Sequence, residues 1–94
     1  MDTKKDRMTV ECRNLAVNPG EKVIVGAKQL RKALRDGRVQ CAYLAENADP
    51  VITEPLEALC KNNRIEYRWI PTMKELGQQC GIEVGAATAA VIRL

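Results

Sequence analysis

Short apolar runs alternate with amphipathic segments along this chain, and that alternation limits the possible folds more than any other feature of the sequence. From residue 22 to residue 92 the order is strand, helix, strand, helix, strand, helix, strand. This order predicts a layered α/β domain in which helices cover both faces of one sheet. A chain of 94 residues can bury a core of its own, so we expect residues 1–94 to form a single domain.

Four segments have the apolar pattern of strands. Val39–Ala45 is nearly all apolar, which predicts a strand covered on both faces. Alternation in Ile65–Ile70 places Tyr67 and Trp69 on one face, where we expect core packing rather than base stacking. The other two predicted strands are Lys22–Val25 and Ala87–Ile92.

Local signals place two helices in the second half of the chain. Asp49-Pro50 is a helix-start signal, but Pro55 would remove a hydrogen bond from a helix interior. We therefore expect a short turn first and a helix from about Thr53. Thr72–Glu75 has the pattern of a capping box, and Gly81 is expected to end the third helix. At the other end of the chain, we expect residues 1–7 to be disordered. Residues 8–17 fit two patterns: Thr9–Cys12 alternates like a strand, whereas apolar spacing favours the short helix that we expect.

The stretch from Gly26 to Gly37 has several features of an anion-binding site. Gly26 permits a sharp turn from strand into helix, and Gly37 is expected to end the helix. Ala27 and Gln29 lie in the first turn, and cations recur at three- and four-residue steps on one side: Lys28, Arg31, Lys32 and Arg35. A helix start also offers free N–H groups and a positive dipole end to an anion. The alternative is an ordinary surface helix with a solvated charged side, which this stretch taken alone favours.

The segment Ile82–Ala86 is a loop with apolar side chains that follows the third helix. One interpretation is a platform for an unstacked RNA base, a common element of specific RNA recognition. The other is that Ile82 folds back onto the helix as an apolar contact at its C-terminus. Taken alone, the loop favours the second interpretation.

The composition gives little support to catalysis. The chain has no histidine, the usual proton-transfer group near neutral pH, and no serine. Glu46 and Asp49 lie near a strand end, where α/β proteins often bind ligands, but helix capping and loop solvation explain them better. Gly77, Gly81 and Gly85 do not form a phosphate-binding loop pattern. We therefore expect no catalytic residue.

The cysteines indicate a reduced protein without a metal. Cys12, Cys41, Cys60 and Cys80 are widely spaced, and neither a C-x-x-C pair nor a histidine accompanies them, so no zinc site is predicted. The last three lie in apolar patterns typical of buried free thiols, which fits a reducing compartment. Without a membrane-length apolar run or an apolar signal core, we expect a cytoplasmic protein. The net charge of +3 is mild, so nucleic acid would need a local basic patch.

Five motifs, taken together and in order, favour the functional interpretations of the helix start and the loop. They are Gly26–Ala33, Ala45–Pro50, Leu59-Cys60, Leu76–Gly81 and Ile82–Ala86. In these motifs the chain, from about residue 22 to residue 92, resembles the family of kink-turn-binding ribosomal proteins. Its short form looks most like the stand-alone bacterial members.

The resemblance implies a fold, an activity and a partner. The implied fold is a three-layer α/β/α sandwich with a mixed, roughly four-stranded sheet. The implied activity is RNA binding without catalysis or cofactor. The partner would be a kink-turn in structured RNA, the ribosome included; a kink-turn is a sharply bent helix–internal loop–helix with tandem sheared G·A pairs. We expect the protein to be a monomer.

The resemblance also assigns roles to residues. Where the family usually has Asn-Glu, this chain has Lys28-Gln29: Gln29 can accept through its carbonyl oxygen, whereas Lys28 can only donate, to a guanine edge or a phosphate. Lys32 is expected on the RNA backbone. The family's next arginine is Asp36 here, and Arg35 can substitute for it. The loop is expected to pack on an extruded base. The full expected RNA-binding set is Gly26, Ala27, Lys28, Gln29, Arg31, Lys32, Arg35, Glu46, Ile82, Glu83, Val84, Gly85 and Ala86.

Two other functions remain open from the sequence. One is a small protein-interaction module that uses the 82–86 loop and an exposed sheet edge. The other is an α/β enzyme that uses Glu46 or Asp49 at the strand ends, for which the sequence offers the least support.

Overall fold

The computed structural model describes residue 15 and residues 17–94. The expected disorder of residues 1–7 lies outside this range, as does nearly all of the helix expected over residues 8–17. The described elements, in chain order, are β1 (Glu21–Val25), α1 (Ala27–Arg35), β2 (Val39–Ala45), α2 (Pro50–Asn62), β3 (Tyr67–Ile70), α3 (Met73–Cys80) and β4 (Thr88–Arg93).

The strands form one mixed sheet in the order β1-β4-β2-β3. β4 is antiparallel to both β1 and β2, whereas β2 and β3 are parallel. α1 and α2 pack against each other on one face of the sheet, and α3 packs against strands on the other. The predicted three-layer α/β/α sandwich is therefore confirmed.

The two faces of the sheet have separate cores. The larger core lies under α1 and α2, where Leu30, Leu44 and Leu56 are fully buried together. The smaller core lies under α3 and consists mainly of Leu76 and alanines from the strand ends. β2 contributes to both cores, which confirms that this strand is covered on both faces.

The ends of α1 and α3 follow from local sequence. Gly37, at φ 70°, closes α1, because Gly37 N–H donates to the Leu34 carbonyl and Arg38 N–H donates to the Ala33 carbonyl. Thr72 Oγ1 accepts from Glu75 N–H at 3.0 Å at the start of α3. Both expectations are confirmed, as is the end of α3 at a left-handed glycine.

The expected start of α2 near Thr53 is wrong. The helix begins at Pro50, and Asp49 caps it by accepting from Val51 N–H at 2.9 Å. Pro55 lies inside the helix and leaves the Val51 carbonyl without its helical donor. Because Val51 is 79% exposed, water can reach that carbonyl and the interruption costs little.

The expected core packing of the two β3 aromatic residues holds for one of them. Tyr67 packs against the larger core and donates its hydroxyl to Glu57 Oε2 at 2.9 Å. Trp69 is 38% exposed, so its assignment to the core is wrong. β3 is an edge strand, which leaves its side chains with fewer neighbours than those of β2.

Candidate nucleic-acid interface

Three segments proposed from the sequence converge on one end of the sheet. β1, β2 and β3 all end there, and β4 begins there. Gly26 N–H donates to the Thr88 carbonyl at 3.0 Å, and Ala45 N–H donates to the Ala87 carbonyl at 2.9 Å. Ala87 and Thr88, at the start of β4, thus lie between the start of α1 and the turn that carries Glu46, directly after the 82–86 loop.

The start of α1 depends on an unusual backbone conformation. Gly26 has φ 114° and ψ 148°, a combination that L side chains rarely adopt. Its carbonyl accepts the first helical bond from Leu30 N–H at 3.0 Å, and no side chain caps the helix. The N–H groups of Ala27, Lys28 and Gln29 therefore have no helical acceptor and remain available to an anion.

The outer side of α1 is cationic. Leu30, Ala33 and Leu34 are buried against the sheet, whereas the side chains that point outward are exposed: Lys28, Gln29, Arg31, Lys32 and Arg35. Within residues 15 and 17–94, the ion pairs are Glu57–Lys61 and Glu66–Arg68, and neither involves α1. No carboxylate of the described part of the chain therefore forms an ion pair with this helix.

The 82–86 loop is anchored at both ends and exposed at its tip. Ile82 N–H donates to the Gly77 carbonyl at 3.1 Å, and Ala86 N–H donates to the Met73 carbonyl at 2.9 Å. Ile82 packs against the smaller core and Ala86 is buried within it. Val84, in contrast, is 69% exposed. The interpretation of Ile82 as an apolar contact that folds back onto the helix is thus confirmed, and Val84 is the side chain left available.

Gly77 fixes the path of this loop. A Cβ at this position would overlap the carbonyl oxygen of Val84 and lie 3.2 Å from Gly85 Cα, so the loop backbone passes directly over the helix. Sequence analysis missed this role, because nothing local distinguishes Gly77 from an ordinary helix glycine.

The turn after β2 has mostly structural roles. Glu46 is exposed, and its N–H donates to the Ile70 carbonyl at 2.8 Å. Asn47 Oδ1 accepts from Met73 N–H at 2.8 Å and so joins this turn to the start of α3. Asp49 caps α2, as its structural interpretation predicted. The contact of Asn47 spans 26 residues of sequence, and no local pattern indicates it.

Thr88 lies at the junction of the two halves of the site and was also missed. Its side chain is fully buried, and its hydroxyl has no hydrogen-bond partner among the described residues. Its backbone carbonyl accepts from Gly26 N–H, and Ala87 alone separates the residue from the 82–86 loop. An unpaired buried hydroxyl destabilises the folded state.

The three thiols within residues 17–94 lack the properties of nucleophiles or metal ligands. Cys41, Cys60 and Cys80 are free. Burial raises the pKa of Cys60 to about 11 and also raises the pKa of Cys41 and of Cys80, so all three are protonated near neutral pH. Residues 15 and 17–94 contain no cluster of side chains able to hold a metal ion, and none of their helices is long and apolar enough to span a membrane.

Comparison with known proteins places this arrangement in a family. The model of the ribosomal protein L7Ae/L30e/S12e/Gadd45 family matches residues 11–93. The chain belongs to this family. The match includes both α1 and the 82–86 loop, so the two halves of the candidate interface are part of the family domain.

Two bacterial relatives of this chain are named as RNA-binding proteins. One, from Caldanaerobacter subterraneus subsp. tengcongensis, is 45% identical over 69 residues, which cover 73% of this chain and 84% of the relative. The RNA-binding protein YbxF of Geobacillus stearothermophilus is 36% identical over 72 residues, which cover 77% of this chain and 88% of the relative. Among solved structures, the Giardia lamblia 15.5kD RNA binding protein is similar, with a TM-score of 0.72 and 24% sequence identity. The similarity covers 78% of this chain and 62% of that protein, and it supports the fold.

Proposed function

We propose that this protein is a non-catalytic RNA-binding protein that recognises and stabilises kink-turn motifs in structured RNA. Membership in the L7Ae/L30e/S12e/Gadd45 family and the names of its bacterial relatives support RNA as the ligand. The observation that carries the proposal is the position of the cationic α1 start and the apolar 82–86 loop at the same end of the sheet. A bent RNA can contact both at once, whereas a straight duplex cannot follow both surfaces.

In this proposal α1 reads the sheared G·A pairs. Gly26 and Ala27 bring the helix start close to the RNA, because a glycine in this conformation leaves open space around its Cα. Gln29 accepts a hydrogen bond from a base through its carbonyl oxygen, and Lys28 donates to a guanine acceptor edge or to a phosphate. The other cations of the helix, Arg31, Lys32 and Arg35, contact backbone phosphates.

The 82–86 loop supports an extruded base. Val84 provides the apolar contact, since it is the exposed apolar side chain of the loop, while Ile82 and Ala86 hold the loop on α3. Glu83 and Gly85 border this contact, and Glu46 lies in the turn after β2, at the same end of the sheet. Binding shifts the RNA toward its kinked form only to the extent that the protein binds that form more tightly.

The proposal extends to the setting of the protein. We propose that it acts in the cytoplasm as a monomer, without a cofactor, on kink-turns of structured RNA that include those of the ribosome. The measurement that tests these points is RNA crosslinking in cells followed by sequencing, which should recover RNAs enriched in tandem G·A motifs. Crosslinks spread evenly over duplex RNA would contradict them.

The direct test is a gel shift with a kink-turn and with the same RNA after replacement of its G·A pairs. The protein should bind the first RNA and discriminate against the second. Gln29→Ala should reduce this discrimination by about 1–3 kcal/mol if the contact is bidentate, whereas Gln78→Ala, which removes an exposed glutamine from α3, should leave it unchanged. Equal affinity for a kink-turn and a plain duplex would reject the proposal.

A protein-interaction module is the second candidate, and exposed apolar side chains favour it. Met73, Val84 and the edge-strand residue Trp69 are all exposed, and all lie toward the same end of the sheet. A protein partner held by these side chains would bind with little dependence on salt and would tolerate Lys28→Ala and Lys32→Ala. Loss of binding with either substitution would exclude this candidate.

A further inference from the structure

A groove of about 190 Å³ runs along α1 on the side that faces β1. One end is at Gln29 and Lys32, inside the proposed interface, and the other is at Asp36 and Arg38, beyond the end of the helix. At 1.5 Å per residue, the helix between Gln29 and Asp36 is about 10 Å long. The groove therefore leads from the proposed interface toward the opposite end of the sheet.

The walls of the groove are charged and its floor is apolar. Lys22 from β1, Lys32 from α1 and Arg38 from the following turn supply three cations, and Asp36 supplies one carboxylate. The apolar side chains of Ile24, Ala33 and Ile92 complete the lining. The ion pairs of the described residues involve none of these cations. An extended anionic chain matches this balance better than an apolar ligand would.

Arg38 is already held in place for such a contact. Its Nε donates to the Arg93 carbonyl at 3.0 Å, and its own carbonyl accepts from Arg93 N–H at 2.8 Å. The terminal amino groups of its guanidinium remain as donors. Because a fixed guanidinium loses little conformational freedom when it binds, this position suits a phosphate contact.

We propose that this groove binds the phosphodiester backbone of the RNA strand that continues from the kink-turn, with Lys22 and Arg38 as phosphate contacts. The inference rests on the proposed function, since the groove opens into the surface that would hold the kink-turn. An acidic peptide would satisfy the same charges, but continuity with Gln29 and Lys32 favours the RNA already bound there.

Asp36 moderates the charge of the groove. It follows the last residue of α1, where the negative end of the helix dipole disfavours a carboxylate, and it lies among the cations of the groove. Removal of its charge should therefore strengthen RNA binding. This increase in affinity is opposite to the decrease that a poorly folded variant would show, so it separates the groove contacts from a general loss of folding.

The test measures RNA affinity as a function of salt for three variants. The RNAs are a kink-turn with long flanking helices and the same kink-turn with both helices cut to the minimum that still kinks. With the long RNA, Lys22→Ala and Arg38→Ala should each flatten the log–log salt slope by about 1. Each variant should then lose about fourfold less affinity than the unmodified protein between about 50 and 200 mM salt. Asp36→Asn should raise affinity. All three changes should disappear with the short RNA.

Lys61→Ala is the matched control, because Lys61 is an exposed cation on α2 whose partner is Glu57 at 4.0 Å. It should leave the salt slope unchanged. Since Arg38→Ala could disturb the contact with Arg93, Lys22→Ala and Asp36→Asn decide the question if that variant folds poorly. An unchanged salt slope in Lys22→Ala together with an unchanged affinity in Asp36→Asn, with G·A discrimination intact, would overturn the groove inference alone. Equal effects on the long and the short RNA would also overturn it, whereas loss of G·A discrimination in the unmodified protein would reject the proposed function instead.

Discussion

The start of α1 and the 82–86 loop each depend on a glycine, but for opposite reasons. Gly26 has open space around it and a backbone conformation that other residues resist, with φ at 114°. Gly77 has an ordinary helical conformation and no space, since the Val84 carbonyl lies directly over its Cα. One region is thus determined by local backbone geometry, and the other by a close approach between α3 and the loop that follows it.

The two regions also offer RNA different interactions. The cations of α1 act at a distance and weaken as salt screens them. Val84 acts only at contact, and its contribution does not depend on salt. An interface built from both should therefore show a salt-dependent part that is shared by all RNAs and a salt-independent part that requires the correct shape. Four substitutions can break or sharpen this contrast.

The largest expected effect is that of Gly77→Ala. The new methyl group would force the loop off α3, at a cost in folding stability of about 3 kcal/mol, and the loop would no longer present Val84. The temperature of thermal unfolding should fall by about 12 °C or more. Binding to a kink-turn should weaken while the salt slope stays the same, because α1 is unchanged. A flatter salt slope would show that the two regions are not independent.

Gly85→Ala is the matched control for that steric argument. A Cβ at this position would lie 3.2 Å from Met73 Cβ, which belongs to a partly exposed side chain that can shift. Its stability loss should be clearly smaller than that of Gly77→Ala. Alkylation of Cys80, which packs beneath the loop, should accelerate in Gly77→Ala but not in Gly85→Ala. Cys60, in the other core, should react slowly in both, because burial raises its pKa to about 11.

Gly26→Ala should cause the second-largest losses of stability and RNA affinity. It acts by changing the backbone conformation, not by a steric clash. Alanine would be strained in this conformation by about 2 kcal/mol, and relief of that strain would move the free N–H groups of Ala27 and Lys28. Chemical denaturation should show the stability loss, and gel shifts should show a weaker and less selective RNA interaction. A variant with wild-type stability would mean that the helix start can adopt another conformation without cost.

Lys32→Ala should affect binding without affecting stability, because the side chain is exposed and has no carboxylate partner among the described residues. We expect about tenfold weaker binding to all RNAs, equivalent to about 1.4 kcal/mol, and a salt slope flatter by about 1. Lys61→Ala provides the comparison, since it removes an exposed lysine from α2. A loss confined to kink-turns would assign Lys32 to base recognition instead of phosphate contact.

The same contrast explains how far the sequence could predict the structure. The Gly37 and Gly81 ends and the Thr72 cap follow from a few adjacent residues, and all were predicted. The interactions that were missed join residues that are not neighbours along the chain: Asn47 with Met73, and Gly77 of α3 with Val84 of the loop that follows. No periodicity records such contacts. The start of α2 was misplaced for a related reason, because the high exposure of Val51, which makes Pro55 tolerable, is known only from the folded chain.

Thr88→Val should have the smallest effect and should stabilise the protein. Valine has nearly the shape of threonine but carries no hydroxyl, and the hydroxyl of Thr88 is buried without a partner in the described part of the chain. Its removal should raise stability by about 1 kcal/mol, or the unfolding temperature by about 4–8 °C. Because Thr88 joins the Gly26 N–H to the end of the loop through its backbone, which the substitution keeps, both regions should retain their positions.

RNA binding by Thr88→Val distinguishes two origins of that unpaired hydroxyl. If the hydroxyl is only an imperfection of packing, affinity and the salt slope should match those of the unmodified protein while the unfolding temperature rises. A decrease in stability would show that the hydroxyl has a partner in the folded protein. Unchanged stability with weaker binding would show that the hydroxyl finds its partner only when RNA is bound. The two halves of the interface would then be coupled through Thr88 rather than acting separately.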